Sequence, residues 1–358
     1  MKAIHQFTAG FTKGDAISNE AVLLRKIFRS WGYESHIFCE PHRVLPQLRP
    51  QTYDAALAET ILKPGDLAVL HLSIGSAVND LFAALKCRRA IIYHNITPPE
   101  YFRGIHEQIA RDLAWGRQQA AKLAGAAEIV MAVSRFNADE LKSMGYGPAQ
   151  ILPLILDASA LKSSPDRGVL RSLADGKTNV LFVGRGAPNK RIEDLLCAFH
   201  YFQSTLEKNS RFIHVGSYTG LERYQALVQA LARRLDIRNC VFAGSVNQQE
   251  LNAYYAGAHL FLCMSEHEGF CIPLLESMVH DLPVMAYAAG AVPETLAGAG
   301  VLFREKNWDE AAEMAGKILN DRELRAGIIS GQRERLRRYT GRDLEGELKK
   351  TLAPVLAR

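Results

Sequence analysis

Four side chains in the second half of the chain have the types and spacing to work on a phosphorylated substrate. Arg185 and Lys190 lie five residues apart in NVLFVGRGAPNKRIEDLL, a run that reads as strand, glycine turn and helix. Backbone N–H groups and the dipole at such a helix start attract an anion. Two cations beside it can neutralise a leaving diphosphate without a metal. Glu268 and Glu276 follow in EHEGFCIPLLESM, with seven residues between them. Glu268 reads as a loop acid and Glu276 as lying about two turns into the next helix, so the two can grip different parts of one extended ligand. Carboxylates suit ribose and sugar hydroxyls because each accepts more than one hydrogen bond. The helix around Glu276 is apolar nearly all round, which predicts a partly buried carboxylate with a partner. Gly269 allows close backbone approach, and the amides of Phe270 and Cys271 are read as opening the helix toward phosphate or sugar hydroxyls.

The elements that would position these residues alternate short β-branched runs with longer amphipathic stretches, the pattern of βαβ units on a parallel sheet. In the first half, strands are expected at Lys2–Phe7, Ser35–Cys39, Leu67–Leu72, Ala90–His94 and Ile129–Val133, with a helix over Asn19–Trp31 ended by Gly32. The periodicity lapses around Ile151–Asp157. A second series follows at Asn179–Val183, Arg211–Val215, Cys240–Ala243, Leu260–Met264, Pro283–Tyr287 and Gly300–Phe303, with only helices beyond Trp308. The expected division is 1–157, 158–335 and a helical segment 336–358 packing back on the first domain. Gly184-Arg185-Gly186 opens like a dinucleotide fingerprint, but Asn189 stands at the third glycine position and the next strand ends in Gly216 with no acid for a ribose, which disfavours a dehydrogenase.

At 358 residues the chain suits two α/β domains, and its net charge of +5 is mild, with cations interleaved among acids. No nucleic-acid partner is expected. The six cysteines form no C-x-x-C pair, which points away from zinc knuckles and disulfide frameworks and toward a reducing cytoplasm. No signal peptide or apolar membrane span is expected, leaving peripheral contact at the inner membrane face as the membrane role compatible with the charge.

Taken in order, G-R-G-A-P-N-K, F-A-G-S-V, E-G-F-C-I-P-L-L-E-S, P-V-M-A and G-A-V-P-E resemble glycosyltransferase family 4 over nearly the whole chain. The resemblance implies an α/β GT-B fold, with two Rossmann-like doubly wound domains facing across a cleft. It implies that Arg185 and Lys190 bind the donor diphosphate after Gly184, that Glu276 binds the ribose, and that Glu268 with the amides from Gly269 to Cys271 holds the donor sugar. Gly244-Ser245-Val246 would meet the base through the backbone, and His94, ending the strand in IIYHNITP, would contact the sugar. The family's paired glycines before the first long helix correspond here to Gly14-Asp15, so Asp15 is expected to face acceptor or sugar hydroxyls. Cys271 stands where the family motif has glycine.

The activity so implied is retaining, metal-independent transfer of a hexose from GDP-mannose or a UDP-hexose to an acceptor hydroxyl, on a lipid-linked or growing polysaccharide. The chain has no D-x-D motif to clamp a catalytic metal, and no cofactor beyond the nucleotide sugar is expected. Front-face displacement, with the leaving phosphate oxygen taking the acceptor proton, is the expected mechanism. The alternatives are a sugar-nucleotide epimerase and a non-catalytic nucleotide-sugar-binding partner protein.

Overall fold

The computed structural model describes residues 2–12 and 14–357. The chain forms two compact units. The first comprises the chain up to Arg103, Glu107–Ile155 and the segment from Asp343 onward; the second comprises Gly104–His106 and Leu156–Arg342.

The first unit is built on β1 (Ile4–Thr8), β2 (Ile37–Cys39), β3 (Tyr53–Asp54), β4 (Leu67–Leu72), β5 (Arg88–Tyr93), β6 (Ile129–Ala132) and β7 (Gln150–Ile151). They pair in the order β3-β2-β1-β4-β5-β6-β7, every pair parallel. The second unit carries β8 (Thr178–Val183), β9 (Ser210–Val215), β10 (Cys240–Gly244), β11 (Leu260–Cys263), β12 (Val284–Tyr287) and β13 (Val301–Phe303), ordered β10-β9-β8-β11-β12-β13 and again parallel throughout. Each is an open doubly wound sheet whose strand order reverses once, between β1 and β4 in the first and between β8 and β11 in the second. Ligands of such sheets bind beyond the strand carboxyl ends at that reversal.

β1, β4 and β11 are buried along their whole length, because helices cover both faces of a parallel sheet. The expected strands all form, within a few residues of their anticipated ends. β3 and β7, which were not anticipated, are two-residue strands at the sheet edges, too short to leave a periodic signal. The first helix, Ala16–Ser30, starts three residues before the anticipated Asn19, because Asp15 caps it by accepting from the Ser18 amide at 2.9 Å. Gly32 takes φ +86° after its end, and the Tyr33 amide reaches back to the Phe28 carbonyl.

Three helices close the chain, Trp308–Asn320, Arg322–Thr340 and Leu344–Leu356, and the last belongs to the first unit. There Trp31 Nε1 donates to Glu345 at 2.7 Å, Lys349 lies over the Trp31 ring, and Arg88 donates to the Val355 carbonyl. Among the described residues no helix is long and apolar enough to cross a membrane.

Glu20, on the inner face of the first helix, is 3% exposed and accepts from the Ile155 amide at 3.0 Å. Burial raises its pKa from 4.5 to about 8, opposed only in part by that hydrogen bond, so the carboxyl is protonated in the folded protein near neutrality. The unfolded chain releases this proton above pH 4.5 while the folded one keeps it to about 8, so its contribution is fully present below 4.5 and declines as pH rises through that window. The decline is at most roughly 1.4 kcal/mol per pH unit. Urea midpoints measured from pH 5 to pH 8 should therefore fall in the wild type and fall less in Glu20→Gln, which keeps the acceptor and cannot ionise. Parallel curves for the two proteins would show that Glu20 is not the group responsible.

Candidate functional site

The loops leaving β8 and β11 lie side by side at the reversal of the second sheet, and the main chain stitches them together. The Glu266 amide donates to the Asn189 carbonyl at 2.9 Å, and the Asn189 side-chain amide donates back to the His267 carbonyl at 3.0 Å. Asn189, the residue that breaks the dinucleotide fingerprint, is thus the clamp between the loops. A second tie is ionic. Arg191, held at φ +52° before the helix Ile192–Tyr201, pairs with Glu266 at 3.0 Å. Lys306 bonds Asp194 at 2.7 Å and Glu266 at 2.9 Å, with its ammonium over the Tyr287 ring.

Within this frame Lys190 Nζ meets Glu268 Oε2 at 2.6 Å, with side-chain exposures of 20% and 8%. Burial alone would pull the Lys190 pKa down, but the adjacent Glu268 carboxylate more than offsets it and holds the lysine above its ordinary value. The lysine is a fixed cation with donors to spare, since an ammonium has three and Glu268 takes one. The Glu268 main chain is seated on Gly290 at φ +55°, where a Cβ would meet the Glu268 oxygen at 2.5 Å and nitrogen at 2.9 Å. Ala291 donates to the same Glu268 carbonyl at 2.9 Å.

The motif continues as a loop through Cys271, which adopts φ +67°, and the helix begins only at Pro273. Glu276 is therefore its fourth residue, in the first turn, not two turns in; proline at the helix start and the left-handed Cys271 delay the helix. The amides of Phe270 and Cys271 precede the helix and do not open it. The Phe270 ring is buried against Tyr339. Glu276 Oε2 accepts the Tyr255 hydroxyl at 2.6 Å, and burial raises its pKa. Tyr255 is itself fully buried and stacked on His280. The Cys271 sulfur lies within 4.8 Å of that of Cys263 at the end of β11, and the interaction of the two thiols lowers Cys263 and raises Cys271.

Other anticipated residues sit at strand ends. Gly184 follows β8, and its carbonyl contacts His214 Nε2 at 2.9 Å, while the other His214 nitrogen meets the Tyr218 hydroxyl. Arg185 is exposed and donates to the Thr219 carbonyl at 3.2 Å. Ser245 and Val246 follow β10, at the far edge of the sheet from β11. In the first unit, Gly14 takes φ +77° in open space, and Asp15 Oδ2 is engaged by both the Ser18 amide and its hydroxyl at 2.8 Å. Asp15 thus caps the first helix through Oδ2. Sequence reasoning missed Gln6, His71, Asn189, Arg191, Tyr255 and Lys306. Only Asn189 and Arg191, which flank Lys190, lay close enough to a motif to be found.

His94 follows β5 and is half-buried. A relay sets its tautomer. Gln6 Nε2 donates to the Ala21 carbonyl at 2.9 Å, so its oxygen faces His71 Nε2, also at 2.9 Å, and accepts from it. His71 Nδ1 is then an acceptor, and His94 Nε2, 2.9 Å away, must donate to it. Desolvation lowers both histidines, His71 to about 3, so both are neutral imidazoles at neutral pH. His94 Nδ1 is left with a lone pair able to accept from a hydroxyl.

Residues 171–335, within the second unit, match the family model described as glycosyl transferases group 1. Among curated relatives, a sulfoquinovosyl transferase of Arabidopsis thaliana is 28% identical over 173 residues, covering 46% of this chain and 31% of that protein. An MMP alpha-(1->4)-mannosyltransferase of Mycolicibacterium hassiacum is 25% identical over 238 residues, 64% of this chain and 55% of that protein. The matches thus span from about a third to about half of these relatives. Among solved structures, sucrose-phosphate synthase from Thermosynechococcus elongatus superposes with TM-score 0.76 at 18% identity, covering 99% of this chain and 100% of that one. Anabaena HepE in complex with UDP and glucose gives 0.75 at 16% identity, covering 98% and 100%. The fold is the GT-B type.

The relay makes a prediction that needs no substrate. Long-range ¹H–¹⁵N spectra should show His71 and His94 both protonated at Nε2 and bare at Nδ1. In Gln6→Met, which removes the acceptor, His71 should populate both tautomers. A His94 found protonated at Nδ1 in the wild type would break the relay.

Proposed function

We propose that this chain is a retaining glycosyltransferase that moves a hexose from a nucleotide diphosphate sugar to an acceptor hydroxyl without a divalent metal. The observation that carries this is the Lys190–Glu268 ion pair, 2.6 Å long, at the strand-order reversal of the unit that matches glycosyl transferases group 1. A lysine shared between Glu268 and a diphosphate would pull charge off the leaving group while Glu268 orients the sugar. Arg185, at the exit of the same strand as Lys190, supplies the second cation.

In this reading Glu276, one oxygen held by Tyr255, accepts the ribose hydroxyls with its remaining capacity, and His94 Nδ1 accepts from a sugar hydroxyl. A neutral His94 with a depressed pKa does not serve as the base. The acceptor proton would pass to the leaving phosphate oxygen on the same face as the C–O bond that breaks. The curated relatives include two GDP-mannose-dependent alpha-mannosyltransferases of mycobacteria, which favours GDP-mannose as donor over a UDP-hexose. A lipid-linked or growing glycan is the acceptor class proposed.

A nucleotide that binds only the folded chain raises its melting temperature. In a panel of GDP, UDP, ADP and their sugar conjugates with chelator present, GDP and GDP-mannose should stabilise the wild type, and Glu276→Ala should lose the shift. Lys190→Ala, checked for folding, should lower turnover on the order of a hundredfold, as losing a preorganised donor to developing charge does. Stabilisation by no nucleotide, or wild-type turnover in the Lys190 variant, would defeat the donor-site assignment. Activity that disappears in chelator would defeat metal independence.

A further inference from the structure

Cys263 Sγ, Cys271 Sγ and a Glu268 carboxylate oxygen all lie within 4.8 Å of one another, and all three residues are buried. We propose that they form a binding site for a thiophilic divalent cation of the zinc class. Two thiolates and one carboxylate are a donor set that such ions take, with a fourth position left for water.

Two further observations support the site. The first is charge. Binding releases a proton from each thiol, since the metal takes thiolates. The two thiolates balance the cation, and the Lys190 ammonium, 2.6 Å from Glu268, balances the remaining carboxylate. The buried cluster is then neutral as a whole, so Lys190 compensates the occupied site and does not repel it. Lys190 has only to share Glu268 or hand one oxygen to the metal.

The second is backbone strain. Cys271 carries a side chain at φ +67°, a backbone conformation that favours glycine, at a position where the motif it resembles has glycine. That conformation brings its thiol onto Cys263 and beside Glu268. Cys263 is placed independently, at the carboxyl end of β11, with its sulfur also against the Ser265 hydroxyl at 3.4 Å. The chain's other cysteines, Cys39, Cys87, Cys197 and Cys240, have no part in the cluster.

The consequence for turnover rests on the donor-site reading given above. A metal on Glu268 would take the carboxylate that orients the sugar, so occupancy and transfer would be exclusive. The binding claim itself does not depend on that reading.

The test is titration of the full chain, reduced and metal-free, with cobalt(II). Tetrahedral thiolate coordination gives near-ultraviolet charge-transfer and intense visible bands. One equivalent should develop them, zinc should displace them, and Cys263→Ser and Cys271→Gly should each abolish them. Circular dichroism would confirm that both variants fold; Cys271→Gly relieves the backbone at that position. No thiolate band in the wild type, or a band that survives in either folded variant, overturns the site. Turnover with and without zinc is read on the same samples. Bands that form as expected while transfer continues unchanged would leave the metal site standing and overturn the assignment of Glu268 to the donor sugar.

Discussion

The buried contact between Lys190 and Glu268 is the constraint on which the second unit's site depends. Each residue leaves a different strand, and each would be costly to bury alone. Removing one partner from such a pair typically costs about 3–5 kcal/mol, because a charge is left in low dielectric. The pair therefore holds only if the two loops are positioned before it forms. Backbone exchanges through Asn189, Glu266 and His267 do this, and the Arg191–Glu266–Lys306–Asp194 set ties the loop bases together. Hydrogen bonds between main-chain groups fix register, and the ion pair then occupies a frame already made.

The first unit reaches a similar result with neutral groups. Gln6 sits on β1 and His71 on β4, the two strands that flank its own reversal, and His94 follows β5. No charge is buried in the relay; directionality comes from one amide whose orientation the Ala21 carbonyl fixes. The two units thus order polar side chains at equivalent places in their sheets by different means, salt bridging in one and tautomer locking in the other.

Much of this was legible in the sequence, for identifiable reasons. The strands from β1 to β13 other than β3 and β7 announced themselves because a parallel sheet buried on both faces demands continuous apolar runs. Lys190, Glu268 and Glu276 stand out because they sit in ordered motifs, and a helix apolar nearly all round implies that Glu276 needs a partner, which Tyr255 supplies. What failed was local geometry. Glu276 lies in the first turn of its helix and not two turns in, because a left-handed cysteine is invisible in composition. The supporting residues were missed for a different reason. Gln6 and His71 lie 65 residues apart and meet only through strand pairing, which no local window contains.

Gly290 gives this chain a marker that can be followed through its descendants. Positive-φ glycines in loops often drift to asparagine or aspartate, since those residues tolerate the conformation. That drift is closed here, because the obstacle is not the dihedral but the Glu268 backbone standing where any Cβ would go. A descendant bearing a side chain at 290 must have rerouted the 264–272 loop, and with it the carboxylate on which the rest of the site is arranged.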